Sequence, residues 1–129
     1  MDTMNEYLDL QHEYRILVPQ DKYAEELLYR GDIHDSQGIR TCFYKMIFHE
    51  DDFNYLEDRL FDFMNVKFDI LINMYEEEIL EADQVEDAIV LTKKIMSEIN
   101  EEKFTILATE LIKLFEKALE NSTIVGFYF

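Results

Sequence analysis

The sequence predicts a mainly α-helical single domain over residues 1–129, with about five helices and one small two-stranded sheet. Three observations favour this fold class. Glycine and proline, which mark the frequent turns of all-β domains, number only three and one. Apolar residues recur at three- and four-residue steps along most of the chain, as on one face of a helix. The last seven residues, 123–129, are instead β-branched and aromatic, which is typical of a strand.

The first strand and the first two helices are predicted in the N-terminal part of the chain. Residues 13–18 (EYRILV) are the best partner for a strand at 123–129, because one strand needs a neighbour for its backbone groups. Asp21 begins a short amphipathic segment that Gly31 would end. Residues 39–49 are again apolar at helical spacing, and we predict a second helix there.

The longest predicted helix spans residues 50–79. Its apolar side chains form one wide stripe: Phe53, Leu56, Leu60, Phe63, Met64, Phe68, Leu71, Met74 and Tyr75. Lys67 interrupts this stripe. Either its stem passes the edge of the core while its charge stays in water, or the helix kinks there. We predict one unbroken helix.

Two further helices complete the predicted α-helical part. Asp83 and Glu86 form an acidic variant of the capping box, which predicts a helix from that point to about Ile99. The final helix has its apolar positions between Phe104 and Ala118, again at three- and four-residue steps.

Negative charge is concentrated in one region of the sequence. The chain carries 29 acidic and 12 basic side chains, a formal net charge of −17, and residues 50–87 hold 14 of the acids with only Arg59 and Lys67. A charged outer face that merely keeps the protein in solution is one explanation. In a region with so few cations, neighbouring like charges also repel each other and lower stability, whereas a helix of mixed charges gains ion pairs at i,i+4. Recognition of a cationic partner is therefore the favoured explanation.

The predicted binding face follows from the helix over residues 50–79. Spacings of 7, 4, 7 and 7 residues keep five acids within a narrow arc opposite the apolar stripe: Asp51, Asp58, Asp62, Asp69 and Glu76. Tyr55 and Asn73 lie near the same face and would add contact area and hydrogen bonds, and Glu77 would add one more charge. Tyr75, from the apolar stripe, is a further candidate contact. We predict that this face binds a basic protein, with the two tyrosines as aromatic anchors.

Sequence motifs for catalysis, metal binding and nucleic-acid binding are absent or incomplete. The acidic stretch at residues 32–37 lacks the glycine and the later glutamate that an EF-hand requires. There is no phosphate-binding glycine loop, no nucleophile elbow and no basic patch. We therefore expect no catalytic residue, no metal ion, no other cofactor and no direct contact with nucleic acid.

Cysteine content and hydropathy indicate the compartment. Cys42 is the only cysteine, so no intramolecular disulfide can form, which fits a reducing cytoplasm. The N-terminal sequence lacks the basic start and apolar run of a signal peptide, and the apolar runs are too short to cross a bilayer. We expect a cytoplasmic protein with no membrane partner.

In size, acidity, helical pattern and lack of catalytic residues, the whole chain resembles the small acidic cytoplasmic immunity proteins of bacterial toxin–immunity and contact-inhibition systems. The resemblance implies a stoichiometric inhibitor that binds and neutralises a basic, nuclease-like toxin through the acidic helical face. It includes no shared motif, so no residue role is carried over from that family.

Three other functions are compatible with the same sequence. The chain also resembles small acidic phage inhibitors that mimic nucleic acid. A self-associating structural or regulatory module would form a homodimer through the C-terminal strand at 123–129. A metal-dependent enzyme would use His34, Asp35 and His49 together with nearby carboxylates.

Overall fold

The computed structural model describes residues 14–30 and 42–129. These residues form four helices and one four-stranded antiparallel sheet. In chain order the elements are β1 (Tyr14–Pro19), α1 (Lys22–Tyr29), β2 (Phe43–Phe48), α2 (residues 50–68), β3 (Glu77–Leu80), α3 (Val85–Glu98), α4 (Glu102–Asn121) and β4 (Val125–Tyr128). A short 3₁₀ turn, Ala82–Gln84, leads into α3.

The predicted mainly α fold class, with five helices and a two-stranded sheet, is wrong. The sheet has four strands in the order β2-β1-β4-β3, and the helices of the described residues number four. The first and last strands do pair, with Arg15 opposite Tyr128, but together they form the centre of a larger sheet. Both β2 and β3 were missed because each depends on a partner strand that is distant in sequence.

Strand β2 lies where the sequence predicts a helix at residues 39–49. Its six residues (FYKMIF) pair with β1 along their whole length, from Tyr14 opposite Phe48 to Pro19 opposite Phe43. Aromatic and apolar residues suit a strand as well as a helix, and pairing with β1 decides between the two. Residues 39–41 of that prediction lie outside the described residues.

The helix predicted over residues 50–79 is also wrong, because α2 ends at Phe68. Asp69 adopts a left-handed conformation with φ of 55° and ends the helix. The side-chain amide of Asn65 then holds the returning chain, donating to the Ile72 carbonyl at 3.1 Å and accepting the Ile72 N–H at 2.7 Å. Lys67 therefore lies in the last turn of a helix that ends, rather than at a kink within a longer one.

A π-helical segment, Glu57–Phe61, separates the two α-helical parts of α2, Glu50–Leu56 and Asp62–Phe68. The wider turn rotates the second part of the helix relative to the first. Phe61 is consequently buried, whereas Phe63 is 54% exposed. An uninterrupted apolar stripe places Phe63 in the core, so this part of the prediction is wrong.

The start of α1 is as predicted, but the start of α3 is not. The carboxylate of Asp21 accepts the N–H of Ala24 at 2.8 Å and caps α1. Before α3, the capping box is formed by Glu81 and Gln84 instead of beginning at Asp83. The 3₁₀ turn precedes the first turn of α3, so the capping residue is Glu81, two residues before the predicted Asp83.

The main hydrophobic core lies between one face of the sheet and helices α2, α3 and α4. The central strands supply alternate side chains to it: Tyr14, Ile16, Val18, Val125 and Phe127. A smaller core under α1 covers the other face, where Leu28 packs near Tyr128. A Cβ on Gly126 would lie 2.6 Å from the Tyr128 ring and 2.8 Å from Leu28, so a larger residue at that crowded point would have to displace these side chains.

Candidate protein-binding surface

The nine residues of the predicted binding face divide between two parts of the structure. Four of them lie on α2: Asp51, Tyr55, Asp58 and Asp62. The other five follow the helix, in the loop and at the start of β3: Asp69, Asn73, Tyr75, Glu76 and Glu77. The end of α2 at Phe68 therefore separates the predicted row of acids into a helical part and a loop part.

On α2, the three acids of the predicted face are exposed and Tyr55 is half-buried. The Tyr55 hydroxyl donates to Glu101 at 2.5 Å, and the Arg59 guanidinium carbon lies 3.9 Å from the centroid of the Tyr55 ring. The ammonium of Lys103 is 4.9 Å from the same ring. Tyr55 thus joins α2 to the beginning of α4.

The electrostatic surroundings of Tyr55 agree with this structural role. Burial raises the pKa of the phenol most, the hydrogen bond to Glu101 and its negative charge raise it further, and Arg59 opposes these effects. Arg59 also lies 3.7 Å from Glu101, so both residues already have partners within the protein. A binding partner that used Tyr55 as an anchor would have to disturb this cluster.

Most acids of residues 50–87 have no cationic partner among the described residues. Asp52 lies 3.4 Å from Lys103, and Asp58 lies 3.2 Å from Arg59. The other twelve of the fourteen form no ion pair within residues 14–30 and 42–129. Their charges add to one negative field that the described cations leave uncompensated.

The loop after α2 returns to the end of the molecule where α2 begins. The Phe129 amide donates to the Glu76 carbonyl at 3.3 Å, which holds the loop against the end of β4. Burial raises the pKa of the Tyr14 hydroxyl, and the charges of Glu50 and Tyr75 raise it further. Glu50 at the start of α2 and Tyr75 in the loop are therefore both near Tyr14, and Tyr75 is 75% exposed.

Glu77 does not join the acids of α2, because its side chain lies on the other face of the sheet. It pairs with Tyr128, whose side chain belongs to the smaller core under α1. Burial is the main cause that raises the pKa of Tyr128, with the charge of Glu77 adding to it and Arg15 opposing it. The predicted binding face is thus only partly assembled by the fold.

Two exposed apolar residues on α2 were missed by the sequence analysis. Phe63 is 54% exposed and Val66 is 86% exposed. Being three residues apart, they are neighbours on the helix surface, and Asp62 borders them. The apolar spacing could not identify Phe63, because the π-helical segment that turns it outward leaves no sign in that spacing. Val66 lies outside the predicted stripe and could have been recognised as exposed.

Comparisons with protein-family models, with curated proteins and with solved structures find no match to this chain.

Within the two described ranges, no group of three or more histidine, cysteine, aspartate and glutamate side chains is placed to hold a metal ion. No described helix is both long and apolar enough to span a membrane. His34 and Asp35, which the metal-enzyme alternative requires, lie outside the described residues.

Proposed function

We propose that this protein is a stoichiometric inhibitor that binds a basic protein through the acidic surface of α2. The observation that carries the proposal is uncompensated charge: of the fourteen acids in residues 50–87, only Asp52 and Asp58 form ion pairs among the described residues. Such a field attracts a cationic partner and accelerates association.

Phe63 and Val66 supply an apolar contact that charge alone does not provide. Interfaces gain most of their affinity from a few apolar or aromatic side chains that become shielded from water, with charged residues at the rim. The exposed pair has Asp62 beside it, and Asp58 lies one turn earlier on the same helix. Phe63 therefore replaces Tyr55 as the proposed aromatic anchor.

In its specific form, the proposal is that the protein is an immunity protein and its partner a basic, nuclease-like toxin. The acidic surface would occupy the cationic groove that such a toxin uses for nucleic acid, because both ligands present negative charge. A cytoplasmic location belongs to the same proposal, and the single cysteine is compatible with it.

The end of α2 at Phe68 argues against the alternative of extended nucleic-acid mimicry. The continuous row of acids on the helix is reduced to Asp51, Asp58 and Asp62. Duplex DNA carries one charge per about 1.7 Å, which so short a row does not approach. Blocking a groove requires complementary sign and shape, and does not require that density.

The proposal is tested with the purified protein whose gene neighbours that of this chain. We expect a one-to-one complex that inhibits the partner, and an association rate that falls as salt is raised from ~0.05 to ~0.5 M. Val66→Ala should weaken the complex more than Val90→Ala, which alters a valine of α3 that is 62% exposed. Circular dichroism should show both variants folded.

Two results would count against the proposal. An association rate that does not depend on salt would exclude electrostatic attraction by the acidic surface. Equal effects of the two valine substitutions would exclude the exposed patch on α2 as the contact.

A further inference from the structure

The sheet has two edge strands, β2 and β3, and the outward-facing backbone groups of the two strands have different surroundings. At β3, the Glu78 carboxylate accepts the Ile79 N–H and the Leu71 N–H, each at 2.8 Å. This carboxylate occupies backbone donors that could otherwise pair with another chain, which is a common form of edge protection. At β2, no hydrogen bond between described residues covers the side of the strand that faces away from β1.

A cleft of about 480 Å³ lies between β2 and α4. Met46 of β2 and two leucines of α4, Leu107 and Leu114, give it an apolar lining. Tyr44 forms part of its wall, with the Lys117 ammonium 5.3 Å from the centroid of the ring. An edge strand beside a helix is the arrangement in which an extended peptide can add to a sheet while its side chains enter the groove.

The charge around this cleft is opposite in sign to that of the whole protein. Lys45, Lys113 and Lys117 line it, against the single acid Glu110 among its described lining residues. Lys113 pairs with Glu110 at 3.2 Å and Lys117 with Glu120 at 3.7 Å, both as exposed pairs along α4. Exposed pairs of this kind contribute little stability, so the two lysines can exchange partners readily.

We propose that the cleft binds an extended acidic segment of a partner protein, which adds to β2 as a fifth strand. Alternate backbone groups of β2 point away from β1 and would pair with the segment. The six residues of β2 span ~20 Å and accommodate a segment of about six residues. Side chains of the segment that face α4 would contact Met46 and Leu114 and pair with Lys113 and Lys117. Acids on its other face would meet Lys45, whose side chain lies on the opposite side of β2 because it pairs with Leu17. This site does not depend on the inhibitor function, because it uses other elements and the opposite charge.

The test uses a fluorescein-labelled peptide with the sequence Glu-Glu-Val-Val-Glu-Glu, which places both residue types on each face of an extended strand, titrated with the full chain and followed by fluorescence anisotropy. We expect binding that weakens with salt, and shifts in the amide resonances of Tyr44–Ile47. The double variant Lys113→Glu, Lys117→Glu should weaken binding at least tenfold or ~1.4 kcal/mol. The matched control Lys93→Glu, Lys94→Glu has the same charge change at exposed positions of α3 and should keep the affinity.

Five results would overturn the proposal. The acidic peptide could fail to bind, or a peptide with lysine in place of glutamate could bind equally well. Two peptides, each methylated on one of the two alternate sets of amide nitrogens, could both keep full affinity, which would exclude strand addition because one of them lacks the N–H donors that face β2. The control variant could lose as much affinity as the cleft variant. Finally, a dimer in analytical ultracentrifugation that the cleft variant abolishes would make the occupant a second copy of the chain.

Discussion

The Asp62 amide donates its hydrogen bond to the carbonyl of Glu57, five residues earlier. This bond sets the rotation of the second half of α2 relative to the first. It places Phe61 in the core, with its ring centroid 5.5 Å from that of Phe129 and 5.8 Å from that of Phe53. The same rotation turns Phe63 outward, so a core residue and a proposed binding residue are both determined by one irregular turn.

Because the second half of α2 is rotated, alanine substitutions of Phe61 and Phe63 should differ in how much they lower the free energy of unfolding. Phe61→Ala should lower the free energy of unfolding by about 3–5 kcal/mol, because it removes a fully buried ring from an aromatic cluster. Phe63→Ala should lower it by less than ~1 kcal/mol, because much of its ring is already in water. Urea unfolding of both variants measures the difference. A larger loss at Phe63 would contradict the rotation, because it would mean that Phe63 rather than Phe61 is buried.

The hydrogen bonds accepted by the Glu78 carboxylate lead us to expect that removing this side chain exposes backbone donors at the β3 edge. Glu78→Ala leaves the Leu71 and Ile79 amides without their acceptor, so both should exchange hydrogen faster. The exposed edge should also promote association that grows with protein concentration, measured by analytical ultracentrifugation. Glu77→Ala removes a neighbouring charge without touching these amides and is the control. If it causes the same association, loss of charge rather than loss of the cap is responsible.

We expect the protein to lose stability at alkaline pH because of its tyrosines. Four tyrosines of the described residues have raised pKa values, with burial the largest cause in each: Tyr14, Tyr29, Tyr55 and Tyr128. The pKa of Tyr29 rises to about 12, helped by its hydrogen bond to Glu81. A raised pKa in the folded state means that the unfolded chain loses these protons first. The free energy of unfolding should therefore be unaffected below pH ~10 and fall as pH rises toward the folded pKa values.

Tyr128 is buried, and burial is the main cause of its raised pKa, so its substitution tests the origin of that loss. Tyr128→Phe should lose less stability than the parent between pH ~9 and ~11, because phenylalanine has no proton to release on unfolding. Urea unfolding at the two pH values gives the comparison. Tyr23→Phe, at a side chain that is 64% exposed, should follow the parent. An identical loss in parent and Tyr128→Phe would mean that other groups cause it.

Several elements were predictable because their signals are local. Asp21 caps α1 through an amide three residues away, and α3 and α4 bury residues spaced by three and four positions, from Val85 to Ile95 and from Phe104 to Ala118. The strand at the end of the chain was recognisable from its β-branched and aromatic residues. Each of these features depends on residues within one or two helical turns or within one strand.

The candidate surface was predictable only as an amount of charge in one segment. The count of acids in residues 50–87 needs no structure, whereas their positions depend on where α2 ends. Asp62 stays on the helix, but Glu77 lies on the opposite face of the sheet. The hydrogen bond from Tyr55 to Glu101 joins residues 46 positions apart, and no short-range pattern in the sequence indicates it.

By itself the sequence determined the net charge, its concentration in residues 50–87, and the amphipathic helices α1, α3 and α4, because composition and short-range spacing are sufficient for these. The tertiary structure decided that residues 43–48 and 77–80 are strands, that α2 ends at Phe68, and that Phe63 faces water. The physical reason is that a strand is stable only when its backbone groups find a partner. Here the partners are distant: Phe48 pairs with Tyr14, and Glu77 pairs with Tyr128.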